Sequence, residues 1–347
     1  MSNAGAEQVR FRCAIAAVNS EENIRVFSQD IKGGIREVTC QNGQWHGGSE
    51  RDVIAHGILG TPLAAVCRNM QEMIHVFFIG EGDVLREVCR QSDGKWHHGE
   101  LDQSQIRVAP YSMLAACHTG QRGQNGGQSN EHGEIRLFAQ MQNNEIQEFC
   151  CDERGRWNKM SNVGRALPGT AMACTIMQGQ GQGQNGNMTM KLIYQDDNMN
   201  IMEARCNQNK KWQAHHEIVR QALPRTDLTL VCCTDNENNN NNNNNNTELR
   251  LYYVDRNNRM KEMVQKCQNQ NQDQDNWTKG QFDEHCVSGS QVAAVAWGKN
   301  NQCNIRVYFQ HGRYVTAISE WMCKGQGKGR WEQGKEALPP ADKQQQQ

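Results

Sequence analysis

Six times along the chain a basic residue, a glutamate and a tryptophan recur in the same order. Arg25 is followed by Glu37, Arg136 by Glu148 and Arg250 by Glu262, each pair twelve residues apart. His75 with Glu87, and Lys191 with Glu203, keep that spacing with a different base, while Arg306 and Glu320 are fourteen apart. A tryptophan follows each glutamate by eight to fifteen residues: Trp45, Trp96, Trp157, Trp212, Trp277 and Trp331. A guanidinium donates to hydroxyl or ring oxygens, and a carboxylate accepts from vicinal hydroxyls, both through charge-assisted bonds. An indole offers a flat apolar face to C–H groups. Donor, acceptor and aromatic plate together suit a neutral monosaccharide. The same residues also suit a cross-strand ion pair with an indole packed beside it. On a surface such a pair contributes only about 0–1 kcal/mol, a weak reason to repeat it six times.

The segments carrying these residues are short and β-like. Residues 24–30, 134–140, 248–255 and 304–310 are β-branched and aromatic runs bounded by turn residues. A small-residue apolar run precedes each basic strand, beginning at 15, 63, 114, 171, 228 and 292. No stretch of twelve residues has helical apolar spacing, so the expected class is all-β. Six copies in 347 residues give a period of about 58, above that of a kelch blade. Each copy reads as an apolar strand, a basic strand, a glutamate strand and a turn with tryptophan. About four antiparallel strands repeated six times predict a six-bladed β-propeller, whose closure protects strand edges. Val9–Arg12 is a candidate for closing the ring. With the hairpin turn midway, the spacing places each base directly opposite its glutamate, on one face.

The copies are separated by polar tracts at 120–130, 178–187, 236–246 and 268–276. These cannot bury apolar surface and are expected to be loops. The propeller domain is expected over 1–341 and a disordered polar tail over 342–347. One tract holds a literal G-x-G-x-x-G, Gly181 to Gly186, but it opens no apolar helix and is not a dinucleotide site.

Together these segments resemble the fungal fucose-specific lectins of the Aleuria type. The resemblance is carried by residues 15–20, 24–37, 108–112, 166–170, 304–310, 318–321 and 337–340, in register with the six copies. It implies non-catalytic, multivalent binding of L-fucose and fucosylated glycans or glycoproteins in clefts between blades. It also implies that base and glutamate come from one blade and tryptophan from the next. Arg25 and Glu37 then share a pocket with Trp96, and Arg136 and Glu148 with Trp212. Arg250 and Glu262 go with Trp331, and Arg306 and Glu320 with Trp45. His75, Glu87 and Trp157, and Lys191, Glu203 and Trp277, form the two weaker pockets, because neither base has a guanidinium fork. The family often carries an aromatic three residues after the glutamate. Here those positions are Cys40, Arg90, Cys151, Cys206, Gln265 and Cys323, a loss expected to weaken each pocket about two- to twelve-fold. A homodimer is a further implication of the resemblance.

Other classes fit less well. With 37 basic and 38 acidic side chains the net charge is −1, which does not suit a nucleic-acid partner. No run of eighteen apolar residues suggests membrane insertion. Glycoside hydrolysis needs two carboxylates about 5–9.5 Å apart, and each copy offers one, beside a cation that keeps it ionised. No enzyme activity, cofactor or metal is therefore expected. The pairs His97-His98 and His215-His216 lack metal-ligand spacing. The fifteen cysteines include no C-x-x-C and are expected to be thiols in a reducing cytosol. No apolar leader is visible near Met1, so the chain is placed in the cytosol or, by non-classical export, at the cell surface. The alternative to a lectin is a propeller scaffold for protein partners with degraded sugar pockets.

Overall fold

A computed structural model describes residues 9–68, 73–119, 133–178, 188–206, 211–235, 246–267, 276–298, 303–312, 316–325 and 329–340. The tracts around 120–130, 179–187, 236–245 and 268–275, the Gly181–Gly186 motif and the tail 342–347 lie outside these residues.

The described strands form six antiparallel sheets, each in sequence order. The first contains β1 (Ile15–Ser20), β2 (Asn23–Gln29), β3 (Gly34–Gln41) and β4 (Gln44–Gly47), followed by a short β5 (Val53–His56). The second contains β6 (Ala64–Cys67), β7 (Ile74–Gly80), β8 (Val84–Arg90) and β9 (Trp96–His98). The third contains β10 (Leu114–His118), β11 (Ile135–Gln140), β12 (Glu145–Cys151) and β13 (Trp157–Arg165). The fourth contains β14 (Met172–Gln178), β15 (Met188–Gln195), β16 (Ile201–Cys206) and β17 (Trp212–Val219). The fifth contains β18 (Leu228–Asp235), β19 (Asn246–Val254), β20 (Arg259–Cys267) and β21 (Trp277–His285). The sixth contains β22 (Val292–Trp297), β23 (Asn304–Gln310), β24 (Ile318–Cys323) and β25 (Glu332–Gln333). The tryptophan of each repeat was expected in a turn. It opens the fourth strand in the second to fifth sheets, lies within β4 in the first, and immediately precedes β25 in the sixth.

The repeat is in register at the level of single residues. Arg25 pairs with Val18, His75 with Val66, Arg136 with Cys117, Lys191 with Thr175, Arg250 with Val231 and Arg306 with Val295. The second strand is the most enclosed in the first five sheets. Every residue of β7 and β11 is buried, which explains why these strands read as nearly continuous β-branched and aromatic runs. The turns after the second strand, or after the third, often use an aspartate whose carboxylate accepts two backbone N–H groups. Asp152 takes Arg154 and Arg156, Asp196 takes Asn198 and Asn200, and Asp255 takes Asn257 and Arg259. This is ordinary Asx-turn chemistry.

The chain divides into two compact units. One comprises Met1–Ile31, Arg36–Val53 and Thr226–Gln347, the other Lys32–Ile35 and Ile54–Arg225. In the first unit β1 packs beside β22, and Val9, Ile15, Val26, Trp45, Val295, Tyr308 and Leu338 share one buried cluster. The segment proposed for closure does tie the two chain ends together. Val9 bridges Asp30, the Arg12 N–H donates to Gln310 Oε1, and Gln310 Nε2 donates to the Arg10 carbonyl. In the second unit Phe77, Leu85, Leu137 and Phe149 join the second and third sheets, while Phe138, Met172, Leu192 and Ala204 join the third and fourth. A buried glutamine at the end of the second strand repeats as a staple. Gln140 donates to the Ala166 and Leu167 carbonyls and accepts from Gly169, and Gln195 accepts from Arg225.

Candidate functional site

All six base–glutamate pairs are brought together. Arg25 Nη1 lies 2.5 Å from Glu37 Oε1, His75 Nδ1 2.7 Å from Glu87, and Arg136 Nη1 2.7 Å from Glu148. Lys191 Nζ lies 3.0 Å from Glu203, Arg250 Nη1 2.7 Å from Glu262, and Arg306 Nε 3.3 Å from Glu320. The expected register was wrong by one diagonal. Glu148 sits opposite Phe138 and Arg136 opposite Cys150. Glu87 likewise faces Phe77, Glu203 faces Ile193, Glu262 faces Tyr252 and Glu320 faces Tyr308. Base and glutamate therefore share a face as diagonal neighbours, a distance that long side chains span. The fourteen-residue spacing of the sixth copy keeps the same diagonal because its turn is longer.

These are not surface pairs. Side-chain exposure is 3% and 0% for Lys191–Glu203 and 5% and 0% for Arg250–Glu262, against 11% and 14% for Arg25–Glu37 and 15% and 8% for Arg306–Glu320. Access to solvent thus separates the copies more sharply than the chemistry of the base does.

Within the second unit an indole from the following sheet reaches the glutamate of the pair. Trp212 Nε1 donates to Glu148 Oε2 at 3.0 Å and Trp157 Nε1 to Glu87 Oε2 at 3.2 Å. Trp45 packs edge-on to Tyr308, whose Oη donates to Glu320 Oε1 at 3.0 Å. Trp331 departs from this: its N–H is buried without a partner, and its ring packs 4.4 Å from Phe282 and edge-on to Tyr252. Glu262 is already served by Tyr252 Oη, Arg250 and the Gln281 N–H. Trp96 and Trp277 belong to the other unit from Arg25–Glu37 and Lys191–Glu203, and each of those halves stands as described by itself.

Several residues of the site were missed in the sequence. The residue two after the base is aromatic in five copies, and in four of them its ring meets the tryptophan edge-on. Centroids are 5.6 Å apart for Phe77–Trp157 and Phe138–Trp212, 6.2 Å for Tyr252–Trp331 and 6.0 Å for Tyr308–Trp45. That recurrence was visible in the sequence. Trp297 was not assigned either, yet the Arg306 guanidinium lies over its ring at 5.0 Å, a cation–π contact. A third signal is W-x-x-G. A Cβ on Gly99 would fall 2.3 Å from the Glu87 carboxylate, and one on Gly280 2.1 Å from Glu262 Oε2, so only glycine admits the glutamate there.

The position three after the glutamate also needs reassignment. An odd offset along a strand turns the side chain to the opposite face, so it serves the preceding copy. Cys151 shares a buried cluster with Phe77 of the second sheet, and Cys40 shares one with Tyr308 of the sixth. The aromatic wall missing from the third copy is therefore missing from the second pocket, and that missing from the first belongs to the sixth.

Two arginines carry a second acid. Glu134 pairs with Arg136 Nη2, and Glu248 Oε1 lies 2.5 Å from Arg250 Nη2. Lys191 shares its glutamate with Arg205, whose Nε lies 2.5 Å from Glu203 Oε1. The acids differ in turn. Burial raises Glu320 above the usual carboxylate range despite Arg306, Tyr308 and Trp45, so the neighbouring cation does not offset desolvation there as expected. Burial pushes Glu87 up as well, but the hydrogen bond and charge of His75 outweigh it and hold Glu87 below that range. His97 and His98 are exposed and contact Asp93 and Asp102.

The cysteines depart from the all-thiol expectation at one place. Cys233 and Cys303 form a disulfide between β18 and the segment entering β23, while the other thirteen are thiols. Both partners are buried within the first unit, so the pair is set by packing between neighbouring sheets rather than by sequence spacing.

Six antiparallel sheets, each carrying a base–glutamate pair and an indole, have the blade plan of a six-bladed β-propeller. A family model described as "Fungal fucose-specific lectin" matches residues 9–341. The fucose-specific lectin of Aspergillus fumigatus is 32% identical over 349 residues, covering 98% of this chain and 100% of that protein. Among solved structures, SapL1 lectin in complex with alpha methyl fucoside is 29% identical, with a TM-score of 0.74, covering 97% of this chain and 100% of its own. The six-bladed lectin of Aleuria aurantia is 22% identical with a TM-score of 0.72, covering 96% of this chain and 98% of its own. The chain belongs to the fungal fucose-specific lectin family, which is non-enzymatic.

Proposed function

We propose that the chain is a multivalent lectin that binds L-fucose on fucosylated glycans in clefts between adjacent sheets. The observation that carries this is the sixth copy. There Arg306, Glu320, Trp45 and Trp297 converge, and Arg306 keeps the largest opening to solvent of the six bases. Arg306 and Glu320 supply the charge-assisted bonds, and the indoles supply the apolar faces. Arg25–Glu37 is similarly open. The enclosed Lys191–Glu203 and Arg250–Glu262 pairs contribute least. Several weak sites on one chain raise avidity for clustered glycans through effective concentration.

A fucosylated-glycan array with free L-fucose as competitor tests this. Binding that free fucose displaces supports the lectin reading, while no displaceable binding at high protein concentration removes it and leaves the protein-scaffold reading. Within the lectin reading, Glu37→Gln weakens fucose binding at its pocket with little change in melting temperature, because Glu37 is the most exposed of the six glutamates. A large loss of stability with unchanged binding would instead make the pair structural. Glu134→Gln acts in the opposite direction. It releases Arg136 Nη2 and tightens binding at the third pocket by about two- to ten-fold, the equivalent of one net hydrogen bond. Isothermal titration with methyl fucoside reads this, and unchanged affinity would show that Glu134 does not compete.

The proposal places the chain at the cell surface, since a disulfide persists in oxidising surroundings. It also includes assembly as a homodimer, which light scattering tests.

A further inference from the structure

The second pocket differs from the others in kind. His75 on β7 sits directly opposite Cys89 on β8, and Glu87 lies two residues before Cys89 on the same face. His75 Nδ1 is 2.7 Å from Glu87 Oε1 and 3.1 Å from Cys89 Sγ, and the three donor atoms lie within 4.8 Å of one another. His75 and Glu87 are buried, and Cys89 is partly so. In the other copies with a described register, the residues facing the base are Cys150, Arg205, Val264 and Met322. Among these only Cys150 is a thiol, and it faces an arginine, which cannot ligate. Imidazole, thiol and carboxylate meet only in the second copy among the described residues.

We propose that His75, Glu87 and Cys89 form a binding site for a thiophilic divalent cation, with Zn2+ the best match. Thiolate, imidazole and carboxylate are the ligand set that Zn2+ takes, at about 2.3 Å to sulfur and 2.0–2.2 Å to nitrogen and oxygen. Tetrahedral placement at those distances asks the three atoms to spread by about half an ångström. A thiolate and a carboxylate cancel the charge of the ion, as an enclosed site requires. A single Nδ1 offers one proton or one lone pair, yet it faces two partners at once, and a cation among the three satisfies all of them. Outer-shell support is already present. Glu87 Oε2 accepts from Trp157 Nε1 at 3.2 Å and from the Leu101 N–H at 3.1 Å, which turns Oε1 toward the site. The His75 ring stacks on Phe77, and its Nε2 is buried without a partner, so Nδ1 is the nitrogen placed to ligate. Cys151 on the neighbouring sheet is a further soft donor near Cys89. Binding releases the thiol proton to solvent, leaving S–M, N–M and O–M bonds and a fourth position open. The proposal stands whether or not the pockets bind fucose.

The test uses the full chain, metal-depleted and with the Cys233–Cys303 bond intact, titrated with Co2+ and then with Zn2+ against a chromogenic chelator. One equivalent of Co2+ giving a sulfur-to-cobalt charge-transfer band, bleached by Zn2+, is the expected result. Cys89→Ala abolishes that band and weakens Zn2+ binding more than about 100-fold, the upper end of what loss of an outer-shell partner does. Cys267→Ala, outside the cluster, changes neither. His75→Gln provides a second ligand deletion should Cys89→Ala fold poorly. Absence of the band, or a band that survives both ligand deletions, overturns the proposal. Fucose affinity of the same samples is read separately.

Discussion

Glu148→Ala lowers stability by about 3–5 kcal/mol and the melting temperature by roughly 10 °C. Glu148 is 3% exposed and holds Arg136 Nη1 at 2.7 Å and Trp212 Nε1 at 3.0 Å. Deleting its carboxylate leaves a guanidinium that is itself only 10% exposed beside an indole N–H with no acceptor. An uncompensated buried charge costs more than the pair contributes when intact, because the desolvation of Arg136 is no longer offset. Glu134 softens the loss by remaining on Nη2. The double variant Arg136→Met with Glu148→Leu recovers most of the stability, since it removes both charges from the low-dielectric region. Denaturant unfolding of the single and double variants separates the two outcomes. A single variant as stable as the parent would mean that water solvates Arg136, and the site would then be a surface pair.

Reduction of the Cys233–Cys303 bond has an effect of similar size. The partners are 70 residues apart in sequence, and a cross-link closing such a loop restricts the unfolded chain by about 4 kcal/mol on the chain-entropy account. Adding a thiol reductant lowers the unfolding midpoint of the parent, whereas the variant Cys233→Ala with Cys303→Ala starts lower and no longer responds. The thirteen thiols add no reductant response, having no bond to break. A parent chain indifferent to reductant would show that the cross-link does not form in solution.

The six copies were legible from spacing because repeats reuse one supersecondary unit, and strand patterning has a period of two that short windows reveal. The pairing of each base with its glutamate was legible too, yet the diagonal register was not. A twelve-residue interval fixes the distance along the chain but not where the turn centres, and a shift of the turn by one residue moves the opposed pair by two. The same ambiguity hid the faces. Cys151 follows Glu148 by three residues and was assigned to the same pocket, although the pleat sends it into the cluster of Phe77 on the second sheet.

Composition, the repeat and the residue types of each pocket follow from the sequence, because local propensity and periodicity determine which strands form. Tertiary structure alone decided which pairs are sealed. Lys191–Glu203 is closed and Arg306–Glu320 open, a difference made by neighbouring sheets and not by the pair. It also decided that Cys233 meets Cys303 and that His75 meets Cys89, since the meeting of distant residues depends on how strands align and sheets pack. Spacing along the chain carries no such information.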